Sequence, residues 1–234
     1  MAERKKIAAI ITEYRLRSHA DVIVTKYLKG FPTDEGFFEP RVDIASMYID
    51  QFPAEDTGRQ IAAEHDVPIY PSIAKALCLG GGELAVDGVL LIGEHGDYAD
   101  NEIGQKLYPR KELFDKIVDV FRTSNRSVPV FCDKHLSWNF DWALEMDRTA
   151  REMGFLLLAG SSIPHCLRLP KMQIPPQSQI REAVTVYCGG NEHYGFHSLE
   201  FAQAIIESFS GCFTKGNEGS PSICLLYTSP SPRD

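Results

Sequence analysis

The stretch Val86-Asp87-Gly88-Val89-Leu90-Leu91-Ile92-Gly93-Glu94-His95-Gly96-Asp97 decides how this chain reads. Its run to Ile92 is strand-sized and mostly branched and apolar, and Gly93 closes it. Lacking the polar alternation of a strand wetted on one face, it suits a strand buried on both faces of a parallel sheet. The residues that follow turn polar at once, with Glu94, His95 and Asp97 at the strand's carboxyl end.

The same pattern recurs outward in both directions. Upstream lie Ile7 to Thr12, Val42 to Ile49 ending in Asp50, and the short Val67 to Tyr70. Downstream, Val128 to Cys132 ends in Asp133-Lys134-His135, and Phe155 to Ala159 opens onto Gly160-Ser161-Ser162. Helical spacing fills the gaps. Ala20, Ile23, Val24, Tyr27 and Leu28 give a helix from His19 with Gly30 beyond its end, and residues 54–65 give a second. Ser72 caps a short helix to Leu79. Leu113, Phe114, Ile117, Val118 and Phe121 put one face of residues 110–122 in the core, and Trp138 to Met153 is amphipathic up to Gly154. On this reading Trp138, Phe140 and Trp142 pack, Phe31 to Pro40 is a loop, and Arg110-Lys111-Glu112 is ordinary helix-start charge. Strands alternating with helices at short spacing imply a parallel sheet with right-handed crossovers. The expected fold is a Rossmann-like, doubly wound α/β domain over residues 5–163.

After Pro164 the character shifts. Prolines 170, 175 and 176 mark an extended stretch, Glu182 to Cys188 alternates as a strand, and His197 to Phe209 is helical. Residues 164–223 are expected to begin a second, α+β domain that is truncated. Residues 224–234 have no period and carry Pro-Ser-Pro; they resemble the in-frame translation of a sequencing adapter, which sets the expected native end near Ile223.

Composition narrows the function. The 234 residues carry a formal charge of −8 with no basic run, which argues against a nucleic-acid surface. No run approaches the roughly 18 apolar residues of a membrane span, and the first apolar segment is too short for a signal peptide, so a cytoplasmic protein without membrane partners is expected. Six cysteines without CxxC spacing point to neither zinc nor a disulfide framework.

In open parallel sheets, ligands bind beyond the carboxyl ends of the strands where strand order reverses. Titratable groups gather at those ends: Thr12-Glu13-Tyr14-Arg15, Asp50, Glu94-His95-Gly96-Asp97 and Asp133-Lys134-His135. His95 and His135 there could equally serve as loop hydrogen-bonders. Three places resemble the Gfo/Idh/MocA family of glucose-fructose oxidoreductase and inositol dehydrogenase. Val86 to Ile92 is similar to its fourth strand. Asp133-Lys134-His135 stands where that family has Glu-Lys-Pro, and Gly189-Gly190-Asn191-Glu192-His193-Tyr194-Gly195-Phe196-His197-Ser198-Leu199-Glu200 follows its Gly-Gly, Asp-x-Gly-x-His, x-x-Asp run.

The resemblance implies an oxidoreductase that moves a hydride between NAD or NADP and a small-molecule sugar or polyol, and it is compatible with a homo-oligomer. It implies His197 as acid/base, Lys134 as its electrostatic partner, and Asp133 and His193 beside them. A histidine near neutral pKa with a lysine partner can accept the hydroxyl proton as hydride leaves. Thr12, Tyr14, Arg15, Asp50, Glu94 and His95 are the candidate cofactor contacts. His193 and His197 would share a face only on a helix, and two histidines without a third ligand point to no metal.

The first strand is followed by no Gly-x-Gly-x-x-Gly, and Glu13 would repel a pyrophosphate, although Arg15 and Arg17 could bind phosphate through their side chains. Asp50 follows Tyr14 by about 36 residues instead of the usual ~20 before a ribose-binding acid. The alternative is therefore a Rossmann-like relative without dinucleotide. It would act as a hydrolase, isomerase or lyase on a small polar metabolite through Glu94, His95, Asp97, Asp133, Lys134 and His135, or only bind a ligand.

Overall fold

The structure, a computed structural model, describes residues 4–166, 169, 178, 180–190 and 194–210, with side chains as far as residue 206. Five parallel strands form its centre: β1 (Lys5–Ile11), β4 (Val42–Ile49), β5 (Gly88–Ile92), β6 (Val130–Asp133) and β7 (Leu157–Gly160), in the order β4-β1-β5-β6-β7. The chain leaves β1 toward β4 on one side and returns to β5 on the other. Strand order therefore reverses between β1 and β5, the place beyond the strand ends where open parallel sheets generally bind ligands.

Period-2 alternation along β1 builds two cores. Ala8 and Ile10 face one, with Val89 and Leu91 of β5 and with helices α3 (Ile73–Leu77), α4 (Arg110–Thr123) and α5 (Phe140–Met153). Ile7, Ala9 and Ile11 face the other, with Leu90 and Ile92 and with α1 (His19–Lys29) and α2 (Gly58–Glu64). All five residues of β5 are buried. That is why the run from Val86 to Ile92 is apolar on successive residues.

The elements depart from the sequence reading in particular places. Residues 31–40 contain a hairpin, β2 (Phe31–Thr33) with β3 (Gly36–Phe38), whose Phe31 and Phe38 rings stack at 5.6 Å; Gly36 supplies the positive φ of its turn. Residues 67–70 reduce to one parallel bridge, Met47 to Ile69, since Pro68 has no N–H for a ladder. The helix expected over 54–65 shortens to α2. Phe140 is 76% exposed at the start of α5, while the Trp138 and Trp142 rings pack on each other at 4.8 Å. Residues 182–188 form no strand, and Val184 and Val186 are exposed, because no neighbouring strand lies beside them among the described residues. The predicted helix from His197 is α6 (Phe196–Ser210). His193 and the tail at 224–234 lie outside the described residues. No helix among the described residues is long and apolar enough to cross a membrane.

Candidate active site at the strand ends

The crest above β1, β5 and β6 is tied together before any side chain acts. Thr12, buried after β1, gives its backbone N–H to Ile92 O at 3.1 Å and its hydroxyl to Glu94 O at 2.7 Å. Asp50 N–H bonds Ile11 O at 2.9 Å, locking the end of β4 to β1. A frame this closely tied holds its side chains at fixed separations.

Glu94 is the hub. It is 2% exposed and pairs with Arg110, which is fully buried, and with Lys134 Nζ at 3.0 Å. Burial alone would raise its carboxyl pKa, but the Arg110 guanidinium and the Lys134 ammonium overcome this and hold it down at about 2. Arg110 is thus no ordinary helix-start charge. A cation at a helix N-terminus opposes the dipole, and this one is kept there by a buried carboxylate. Gly93 makes the room: a Cβ at that position would lie 2.6 Å from Arg110 Cγ. Arg110 Nη1 also lies 3.4 Å from His135 Nε2, and the His135 ring packs 5.0 Å from Phe196.

Lys134 and His95 both adopt positive φ, 64° and 70°, a costly conformation for side-chain-bearing residues that the surrounding ties enforce. His95 is neutral at physiological pH: burial, then the neighbouring His19, push its pKa down to about 4. Its Nδ1 lies 3.5 Å from Arg15 Nη2, and its buried Nε2 has no hydrogen-bond partner among the described residues. Arg15 is tied by its Nε to Glu13 at 2.6 Å.

Two residues following one another at the end of β6 diverge. Lys134 turns to Glu94, whereas Asp133, itself 7% exposed, meets His19 Nδ1 at 2.5 Å. The His19 ring stands edge-on to His95 with centroids 5.1 Å apart. From the far side, His197 in the first turn of α6 brings Nδ1 within 2.5 Å of Ser161 Oγ after β7. Glu200, one turn on, accepts the Ser161 backbone N–H at 2.6 Å. Burial lowers the His197 pKa, and the charge of Lys134 lowers it further.

The remaining candidates lie elsewhere. Tyr14 is fully buried, its hydroxyl 2.6 Å from Thr25 Oγ1 on α1 and its pKa pushed by burial to about 12, so it packs under the first loop. Asp50 sits on the flank of the crest and accepts the hydroxyls of Tyr48 at 2.7 Å and Tyr98 at 2.8 Å. Cys132, fully buried, has its thiol pushed up to about 12 and stays unreactive. The sequence reading missed His19, Arg110 and Ser161. Arg110 alone carried a signal, its charge opposing the helix dipole. No group of three or more metal-ligating side chains occurs among the described residues.

Comparison with known proteins adds similarity without identity. No family model and no curated protein matches the chain. The chain is similar to solved dehydrogenases. The dehydrogenase MviM from Clostridium difficile matches at 14% identity and a TM-score of 0.43, over 68% of this chain and 39% of its own. Myo-inositol 2-dehydrogenase from Lactobacillus plantarum matches at 14% and 0.42, over 70% and 37%. GenD2 of gentamicin A biosynthesis, solved in complex with NAD, matches at 17% and 0.42, over 68% and 35%. The chain thus spans under two fifths of the length of each.

Proposed function

We propose that the chain carries the acid–base crest of an oxidoreductase of the Gfo/Idh/MocA type, acting on a hydroxyl group of a small sugar or polyol. In the same reading residues 5–163 and 164–223 belong to two domains. The observation that supports it is the placement of Lys134, after β6 and held on Glu94 after β5, and of His197, held on Ser161 after β7, at the carboxyl ends of adjacent parallel strands. His197, its ring fixed through Nδ1 by Ser161, keeps Nε2 for the substrate hydroxyl and takes its proton. The Lys134 ammonium, held by Glu94, stabilises the alkoxide that remains.

The resemblance also implies NAD or NADP. Asp50 stands at the end of β4, where a ribose would be held, and α1 begins at the crest. The pyrophosphate place differs. The first loop has no glycine, Tyr14 fills the space beneath it, and Glu13 is buried within it. Ser18 Oγ accepts the Asp21 N–H, and the Asp21 carboxylate accepts the Arg17 N–H, so amides that would meet a phosphate are already engaged. These residues do not fit a pyrophosphate seated on the loop backbone, so a nicotinamide nucleotide would have to be held by side chains such as Arg15 and Arg17, and the proton steps above involve none.

Thermal unfolding of the chain with each of NAD+, NADH, NADP+ and NADPH tests the oxidoreductase reading. Stabilisation by at least one, rising with concentration, is expected. No stabilisation by any of the four would contradict it and leave dinucleotide-free chemistry at the same crest.

A further inference from the structure

We propose that His19, held by Asp133, is a second proton-accepting group of this crest, standing where a dinucleotide-binding chain places its phosphate cradle. The inference rests on reading the crest as a proton-handling site, though on no dinucleotide. His19 opens α1, and its position is fixed by Ser18, whose hydroxyl accepts the N–H groups of both Asp21 and Arg15 at 3.2 Å. Asp133 is fixed by its place at the end of β6, and its side chain is only 10% exposed. The 2.5 Å approach of His19 Nδ1 to Asp133 Oδ2 requires one proton between them, and a carboxylate in that position keeps it on the imidazole nitrogen. In the neutral ring Nε2 is then the nitrogen left to accept, on a side chain 29% exposed.

The surrounding charges suit that role. Asp133 compensates the imidazolium that forms, as the carboxylate does in a catalytic Asp–His pair. Lys134, the residue after Asp133, is held by Glu94, and Arg15, His95 and His197 are the other titratable groups nearby. In the step itself a substrate O–H bond breaks as a bond from that proton to His19 Nε2 forms. The oxygen is left as alkoxide, and the proton returns in the reverse direction. An imidazole needed only for packing would gain nothing from a buried carboxylate that, among the described residues, hydrogen-bonds it and no other side chain.

Carbethoxylation of the whole chain by diethyl pyrocarbonate, followed by mass mapping of each histidine, tests this, with the exposed His165 as internal standard. Asp133→Asn should lower the His19 rate several-fold relative to His165, and Asp133→Glu should restore it. An unchanged or faster His19 in Asp133→Asn would overturn the proposal, because the carboxylate would then only shield the ring. Nitrogen-15 NMR of the imidazoles guards against misfolding: wild-type His19 should show the Nδ1–H tautomer, and an Nε2–H tautomer would equally overturn it. Neither readout depends on nicotinamide nucleotides, so failure of the oxidoreductase reading and failure of this one are separable.

Discussion

Glu94 shows how a single residue holds the crest. Its folded pKa of about 2 lies below the ordinary glutamate value near 4.3, so its contribution is fully present above the unfolded value and is lost as pH falls from about 5 toward 2. For a carboxylate this buried the difference amounts to about 3 kcal/mol. Urea unfolding at pH 7 and pH 3 should show that loss in the wild type and a much flatter profile in Glu94→Gln. The variant should also be less stable at pH 7 by about 3–5 kcal/mol, since two buried cations lose their counter-charge. Gly93→Ala probes the same pair by volume, because the added methyl meets the Arg110 stem. A loss of about 1–3 kcal/mol in chemical unfolding is expected. Little of this was legible in the sequence: Glu94 and Arg110 are 16 residues apart, and only the packing of α4 onto the end of β5 makes them neighbours.

At the scale of elements, regular patterns were readable and local chemistry was less so. Val42–Ile49 falls where its apolar run lies, and α1 runs up to Gly30 because Ser18 and that glycine cap it, with φ 74° at the latter. The hairpin at 31–38 was missed because two prolines and a glycine read as breakers, while its pairing comes from phenylalanines across the turn. Alternation at 182–188 gives only a tendency, and a strand needs a partner. Ser18 links element to site, since its hydroxyl caps α1 and holds Arg15. Ser18→Ala should cost about 1 kcal/mol in thermal or chemical unfolding. It should also speed amide exchange at Asp21 and Arg15, whereas exchange in α4 should stay unchanged.

Over the whole molecule, the doubly wound sheet was legible because burial on both faces leaves a plain apolar signature on each strand. The gathering of titratable residues at the strand ends was legible too, because parallel strands end together. The pairings within it were not, because Lys134 could have met Asp133, Glu94 or His197, and only the turn after β6 decides. We propose that Lys134 and His197 act as one proton-handling pair. NMR titration of the His197 imidazole in the wild type and in Lys134→Met tests it most directly. Burial and then the Lys134 charge hold the His197 pKa below its ordinary value, so removing the ammonium should move its midpoint upward while that of exposed His165 stays in place. An unmoved His197 midpoint in the folded variant would show that the two residues do not share a site and would contradict the account.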